Sequence, residues 1–293
     1  MLLRLFAILA MLWLTTQTIA AASWRPATLS GVDETILHSS HTERDYRIQI
    51  AAIGKQPAQG YPVLVLLDGD LMLPLAALMM QSLSFQPYYQ QGILLVGVGY
   101  PGGNLYDLEA RAKDYTPPIQ DHSTDGKYGG GADFQQFITQ ELFTEISRNY
   151  PINRNKTALM GHSFGGLFAL YNLFNDDKTF QSYLIASPSI WWAEQRILAD
   201  EGKRQNAPAF IRLSVGEYEQ ASNPQHPDSR EQAAKKQARQ MVDQVTVLTE
   251  RLQNRFPEAV ISNKIYAEKT HGSVIPSSLQ DSVIALYDYW YRD

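Results

Sequence analysis

The sequence predicts a single doubly wound α/β domain, a mostly parallel sheet with helices on both faces. Short continuous apolar runs alternate with longer segments of helical period, the pattern of strands buried between two helical layers. No internal repeat and no low-complexity linker divides the 293 residues, so one core is expected. The composition, 44% hydrophobic and 19% charged, is that of a globular protein and excludes disordered, collagenous and coiled-coil classes.

The elements follow in order. Met1 to Arg4 is a short positive start, Leu5 to Leu14 is apolar, and the segment then turns small and polar up to Ala20-Ala21-Ala22. That is an export leader, with cleavage expected between Ala22 and Ser23. Residues 1–22 are therefore assigned as signal peptide and 23–293 as the folded domain, delivered to the periplasm with no stable membrane association. Strands are predicted at Tyr46–Ile53, Tyr61–Leu67, Ile93–Val98, Thr157–Met160, Tyr183–Ala186, Phe210–Val215 and Val260–Ala267. Helical spacing marks Leu71–Leu83, Asp133–Tyr150, Phe164–Phe174 and Arg230–Phe256. A last helix is expected to start at a capping box of Ser277 and Gln280, with Leu279, Val283, Leu286, Tyr287 and Trp290 on its apolar face. Two loop-rich stretches, Gly99 to Gly131 and Ala221 to Ser229, are where such a fold builds its site.

The chain carries no cysteine, which excludes disulfides, a thiol nucleophile and Cys-ligated zinc. Its net charge is −5, and losing Arg4 with the leader makes it −6, so no general attraction to nucleic acid or anionic membrane is expected. The densest basic cluster, Lys235-Lys236 with Arg239, reads as a solvated helix face. The histidines and carboxylates show no metal-ligand spacing, and no dinucleotide fingerprint follows a first strand. No metal and no cofactor are implied.

The sharpest motif is Gly161-His162-Ser163-Phe164-Gly165-Gly166. It fits a nucleophile elbow, a tight strand-to-helix turn that exposes Ser163. A serine hydroxyl needs a base, and of the two histidines after Ser163, His226 and His271, only His271 follows the last strand. The acid should follow Phe210–Val215, where Gly216-Glu217-Tyr218-Glu219 offers two carboxylates. Glu219 is preferred and Glu217 is the alternative. For the oxyanion hole, the backbone N–H of Phe164 and that of Asp70, in the Asp68-Gly69-Asp70 turn, are the expected donors. Of the adjacent Trp191 and Trp192, at least one should face the site or solvent.

At these residues the sequence resembles the esterase D group of α/β-hydrolases, and within it the periplasmic siderophore esterases that open catecholate trilactones such as enterobactin. The similarity covers Leu67-Asp68-Gly69, Val98-Gly99-Tyr100, Arg111 with Asp114-Tyr115-Thr116-Pro117, and Gly129 to Phe134. It continues through the elbow, Ser187-Pro188-Ser189 with Trp191-Trp192, Gly216 to Glu219, and His271-Gly272-Ser273. The resemblance implies a cofactor-free serine esterase acting on a small-molecule ester, with Ser163 and His271 as its catalytic pair, and some members work as Ser–His dyads. Asp70 departs from the amide associated with its position. Arg111 is expected to bind the substrate's catecholate face, or else to hold its loop by pairing with Asp107 or Asp114, while Trp191 or Trp192 supplies an aromatic wall. A simpler acyl ester or thioester substrate, and an inactive exported binding protein, are the alternatives.

Overall fold

The computed structural model describes residues 27–119 and 126–292. The leader assigned to residues 1–22 lies outside the described residues. Residues 27–30 precede a domain that starts at Gly31.

Eight strands form one sheet: β1 (Asp33–Ser39), β2 (Arg44–Ile53), β3 (Tyr61–Leu67), β4 (Ile93–Gly99), β5 (Ile152–His162), β6 (Ser182–Ala186), β7 (Phe210–Gly216) and β8 (Val260–Tyr266). Their spatial order is β1-β2-β4-β3-β5-β6-β7-β8. The six strands from β4 to β8 in that order run parallel, and β2 and β1 add an antiparallel edge. The all-apolar runs Ile93–Gly99 and Tyr61–Leu67 are buried nearly throughout because they lie centrally, with a helical layer on each face. The seven expected strands are all present. β1 was not foreseen: it is an edge strand with a largely exposed Asp-Glu-Thr-Ile start, so it lacks a strong apolar signature.

One helical layer contains α1 (Gly69–Leu83) and α8 (Val274–Tyr291). The other contains α2 (Leu108–Asp114), α3 (Gly131–Gln136), α4 (Phe143–Asn149), α5 (Phe164–Asn175) and α7 (Met241–Arg255). Here lies the main core, with Phe134, Phe137, Phe143 and Phe168 fully buried. Three helix boundaries differ from those expected. The stretch Asp133–Tyr150 is one helical path interrupted by a π-helical segment over Phe137–Leu142. Arg230–Phe256 breaks at Gln240, which takes a left-handed conformation (φ 47°), giving α6 (Arg230–Arg239) and then α7. The last helix begins at Val274 rather than after Ser277. Its entry is fixed by the Thr270–Ser273 turn, where Val274 N–H donates to Thr270 O at 3.0 Å. Pro276 fits the first turn, where no amide donor is required.

The parallel strands all point their carboxyl ends the same way, so the segments after β3, β5, β6, β7 and β8 converge there. This is the end at which an open α/β sheet places its ligands.

Candidate active site

Ser163 lies between β5 and α5 with φ 61° and ψ −118°, a conformation a non-glycine residue adopts only when its surroundings impose it. Those surroundings are specific. Ser163 N–H donates to Ala186 O at 3.0 Å, and Ser189 N–H donates back to Ser163 O at 3.1 Å, so the loop after β6 braces the turn from both sides. A Cβ on Gly161 would lie 2.1 Å from Gly165 O, and one on Gly166 would lie 2.8 Å from Ala186 O. The tight turn therefore demands glycine at both positions.

His271 follows β8 and shares one cavity with Ser163, of about 520 Å³. Its Nδ1–H donates to Glu219 Oε2 at 2.5 Å. The second oxygen of Glu219 accepts from Ser187 Oγ at 2.6 Å and Gly216 N–H at 2.7 Å. The carboxylate is thus buried and fully hydrogen-bonded, and the Nδ1 proton leaves His271 Nε2 as the basic nitrogen. Glu217 does something else. Its Oε2 accepts from Glu268 N–H at 2.8 Å, and Tyr218 N–H donates to Lys269 O at 2.9 Å, tying the loop after β7 to the loop that carries His271. Of the two carboxylates the sequence offered, only Glu219 is bonded to the imidazole. His226 stands in an exposed loop and is not among the residues that line the cavity.

His162, the variable residue of the elbow motif, was not singled out from sequence. It is buried, and its Nε2–H donates to the backbone carbonyl of His271 at 2.9 Å, with the two rings 4.5 Å apart. Burial, reinforced by the neighbouring His271 and Arg111, lowers its pKa to about 3, so it remains neutral. It supports the His271 loop from beneath.

Phe164 lines the cavity and begins α5, where its N–H has no helical acceptor. Asp70 occupies the corresponding first turn of α1. Its carboxylate is turned toward β2 and pairs with Arg47, so it is not among the groups lining the cavity. That removes the conflict between an acidic side chain and a developing oxyanion.

Arg111 is in the cavity wall, but its guanidinium is engaged. Nε donates to Asp68 Oδ1 at 2.9 Å and an Nη to Asp68 Oδ2 at 3.0 Å, a buried bidentate pair. Burial disfavours the Arg111 charge, yet the Asp68 carboxylate more than offsets this and raises its pKa. Neither carboxylate named as its structural partner is used. Asp107 caps α2 by accepting from Ala110 N–H at 2.9 Å. Asp114 accepts from Arg44 at 3.2 Å, Tyr46 OH at 2.9 Å and Tyr100 OH at 3.1 Å. Asp68 was legible only as a turn residue, because nothing in sequence links positions 68 and 111.

The two tryptophans separate. Trp191 lines the cavity beside Phe164, whereas Trp192 is buried against Tyr128 and is absent from the lining, which corrects its assignment to the substrate wall. Lys235 and Arg239 are exposed and Lys236 is half-buried, as a solvated helix face requires, but their place in the molecule goes further. They belong to the cavity wall together with Asp228 and Gln232. The helix that carries them buries no residue, so its sequence has no apolar stripe to reveal that one side faces a site.

An elbow serine and an imidazole held by a buried carboxylate, in one cavity with the first residue of α5, form a constellation suited to acyl transfer, and the eight-stranded sheet that bears it is an α/β-hydrolase fold. The chain belongs to the Esterase family, described as "Putative esterase", whose profile matches residues 39–258, and it is a carboxylic-ester hydrolase. It is 30% identical over 268 residues to the ferri-bacillibactin esterase BesA of Bacillus subtilis, covering 85% of this chain and 87% of that one. It is 31% identical over 244 residues to a siderophore enterobactin esterase of Emericella nidulans, covering 75% and 80%. The crystal structure of the BES protein from Bacillus cereus matches with a TM-score of 0.78 and 29% identity over 92% of this chain and 98% of that one.

Proposed function

We propose that this protein is a serine esterase that opens the trilactone of a catecholate siderophore, with Ser163, His271 and Glu219 as its triad. The 2.5 Å bond between His271 Nδ1 and Glu219, in the cavity that Ser163 also lines, is the observation that carries the triad. The substrate class draws on the names of the two relatives. His271 Nε2 takes the Ser163 hydroxyl proton as Oγ attacks a lactone carbonyl. Glu219 stabilises the imidazolium formed. The N–H groups of Phe164 and Asp70 receive the oxyanion. Collapse breaks the C–O bond, and His271 returns the proton to the leaving alkoxide. A water deprotonated by His271 then releases the acyl group from Ser163. The Arg111 guanidinium donates both to Asp68, at the entry to α1, and to the carbonyl of His162 beside the nucleophile, and so acts as a positioning residue that ties the two together.

The proposed site of action is the periplasm after removal of residues 1–22, and no helix among the described residues is long and apolar enough to cross a membrane. The test is expression with export, N-terminal sequencing of the periplasmic product, and mass spectrometry of ferric enterobactin incubated with wild type and Ser163→Ala. Expected are a first residue of Ser23, ring opening by wild type, and a loss in Ser163→Ala on the order of a millionfold in kcat. An intact Met1 would refute the export assignment, and a Ser163→Ala variant retaining most activity would refute the nucleophile.

A further inference from the structure

The cavity around Ser163 has four cations in its wall, Arg111, Lys235, Lys236 and Arg239, but they are not equivalent. Arg111 is neutralised by Asp68. Lys236 is neutralised by Asp228 at 2.7 Å and also donates to Ala221 O at 3.3 Å. Lys235 pairs with Glu231 at 2.7 Å, but both groups are well exposed, so water screens that pair. Arg239 differs from all three. Its guanidinium lies 4.2 Å over the ring of Trp191, and among the described residues no carboxylate comes within ion-pair distance of it. Stacking fixes the guanidinium plane while its edge donors remain available.

We propose that α6 is the anion-recognition element of this site. Arg239, stacked on Trp191 and assisted by Lys235, binds the charged aromatic face of the ester and selects its metal-loaded form over its metal-free form. The inference rests on the catecholate reading above and names which form of that substrate is taken. Six phenolate oxygens around a trivalent iron leave three negative charges, whereas the metal-free trilactone with protonated catechols is neutral. A chain of net charge −5 repels the first at long range, so preference for it needs an uncompensated local cation. Arg239 is that cation, and the indole beneath it holds the guanidinium in the cavity wall. The role expected of Arg111 passes to another residue of the cavity wall, because Asp68 already occupies Arg111.

The test compares wild type, Arg239→Gln and Arg239→Lys on ferric and metal-free enterobactin. It adds a ferric complex of three 2,3-dihydroxybenzamide ligands, which has no lactone, as an inhibitor of nitrophenyl acetate hydrolysis by each variant. In wild type, kcat/KM should favour the ferric trilactone. In Arg239→Gln that ratio should fall about tenfold or more, the inhibition constant of the lactone-free complex should rise similarly, and Arg239→Lys should keep part of both. Cleavage of both trilactones with a ratio unchanged in Arg239→Gln overturns the recognition role and leaves the substrate reading standing. Failure of wild type to cleave either trilactone, with inhibition that still depends on Arg239, overturns the substrate reading alone. No inhibition of wild type by the ferric complex overturns the recognition role.

Discussion

Glu219 and Glu217 are two residues apart in the same short turn, and their environments give them opposite tasks. Glu219 is buried and accepts from His271, Ser187 and Gly216. Glu217 accepts one backbone N–H, from Glu268, near the surface. Glu219→Gln keeps the shape but removes the negative charge facing the imidazolium and puts an amide donor where Nδ1–H needs an acceptor. Steady-state kinetics should show kcat lowered by on the order of 10³-fold or more. Glu217→Gln retains an acceptor oxygen for Glu268 and should stay within about twofold of wild type, since a single exposed hydrogen bond is of small net worth. Equal, slight effects in both variants would indicate a Ser–His dyad. Sequence could narrow the acid to this pair but not decide it, because the choice depends on which carboxylate folds inward toward β6 and β8. The same limit applies to Arg111, whose partner Asp68 is 43 positions away, and to the divergence of Trp191 and Trp192.

The strand-to-helix turn shows how an element constrains its own motif. The elbow pattern was legible in full, as were the strands that feed the site, because central strands are continuous apolar runs and motif glycines are local. Structure redistributes the importance of those glycines. A Cβ at Gly165 would meet nothing nearer than 3.6 Å outside its own helix, ordinary contact, while one at Gly161 would overlap the Gly165 carbonyl. Gly165→Ala should therefore change the urea unfolding free energy by under about 1 kcal/mol. Gly161→Ala should destabilise by several kcal/mol, roughly the tail reserved for buried steric overlap. Similar losses in the two variants would show that the turn cannot be treated as a set of separate contacts. What escaped sequence reading at this scale were features without local signature: the exposed edge strand β1, the left-handed Gln240 that divides α6 from α7, and the inward face of α6. That helix is polar all round because an open cavity is as wet as the outer surface.

For the whole molecule, with no disulfide to restrain the unfolded chain, acid tolerance is set by how many groups resist protonation in the fold. His162 is the leading one in the mildly acidic range. Its ordinary value of 6.5 falls to about 3, chiefly by burial. Below pH 6.5 the unfolded chain binds a proton at this residue and the native state does not, so the stability present above 6.5 is lost as pH falls toward 3. The slope for one proton is about 1.4 kcal/mol per pH unit. The carboxylates divide: burial raises Asp68 and Asp114 above their usual range. Partial burial alone would raise Asp200 and Asp281, but hydrogen bonds from Lys203 and Lys264 hold both below the usual carboxylate range. Whatever the carboxylates contribute between roughly pH 6 and pH 5 is common to wild type and a variant that lacks the imidazole, so the difference between the two profiles reports His162. Urea unfolding of wild type and His162→Gln across that window separates it. Glutamine can still donate to the His271 carbonyl, so the fold is expected to persist, but it cannot titrate. The variant should be less stable at neutral pH, and its stability should fall by about 1.4 kcal/mol less per pH unit than that of wild type. Parallel pH profiles would mean that the native state admits a proton at His162 as readily as the unfolded chain. The loop carrying His271 would then rest on an imidazolium rather than on the neutral ring that its burial requires.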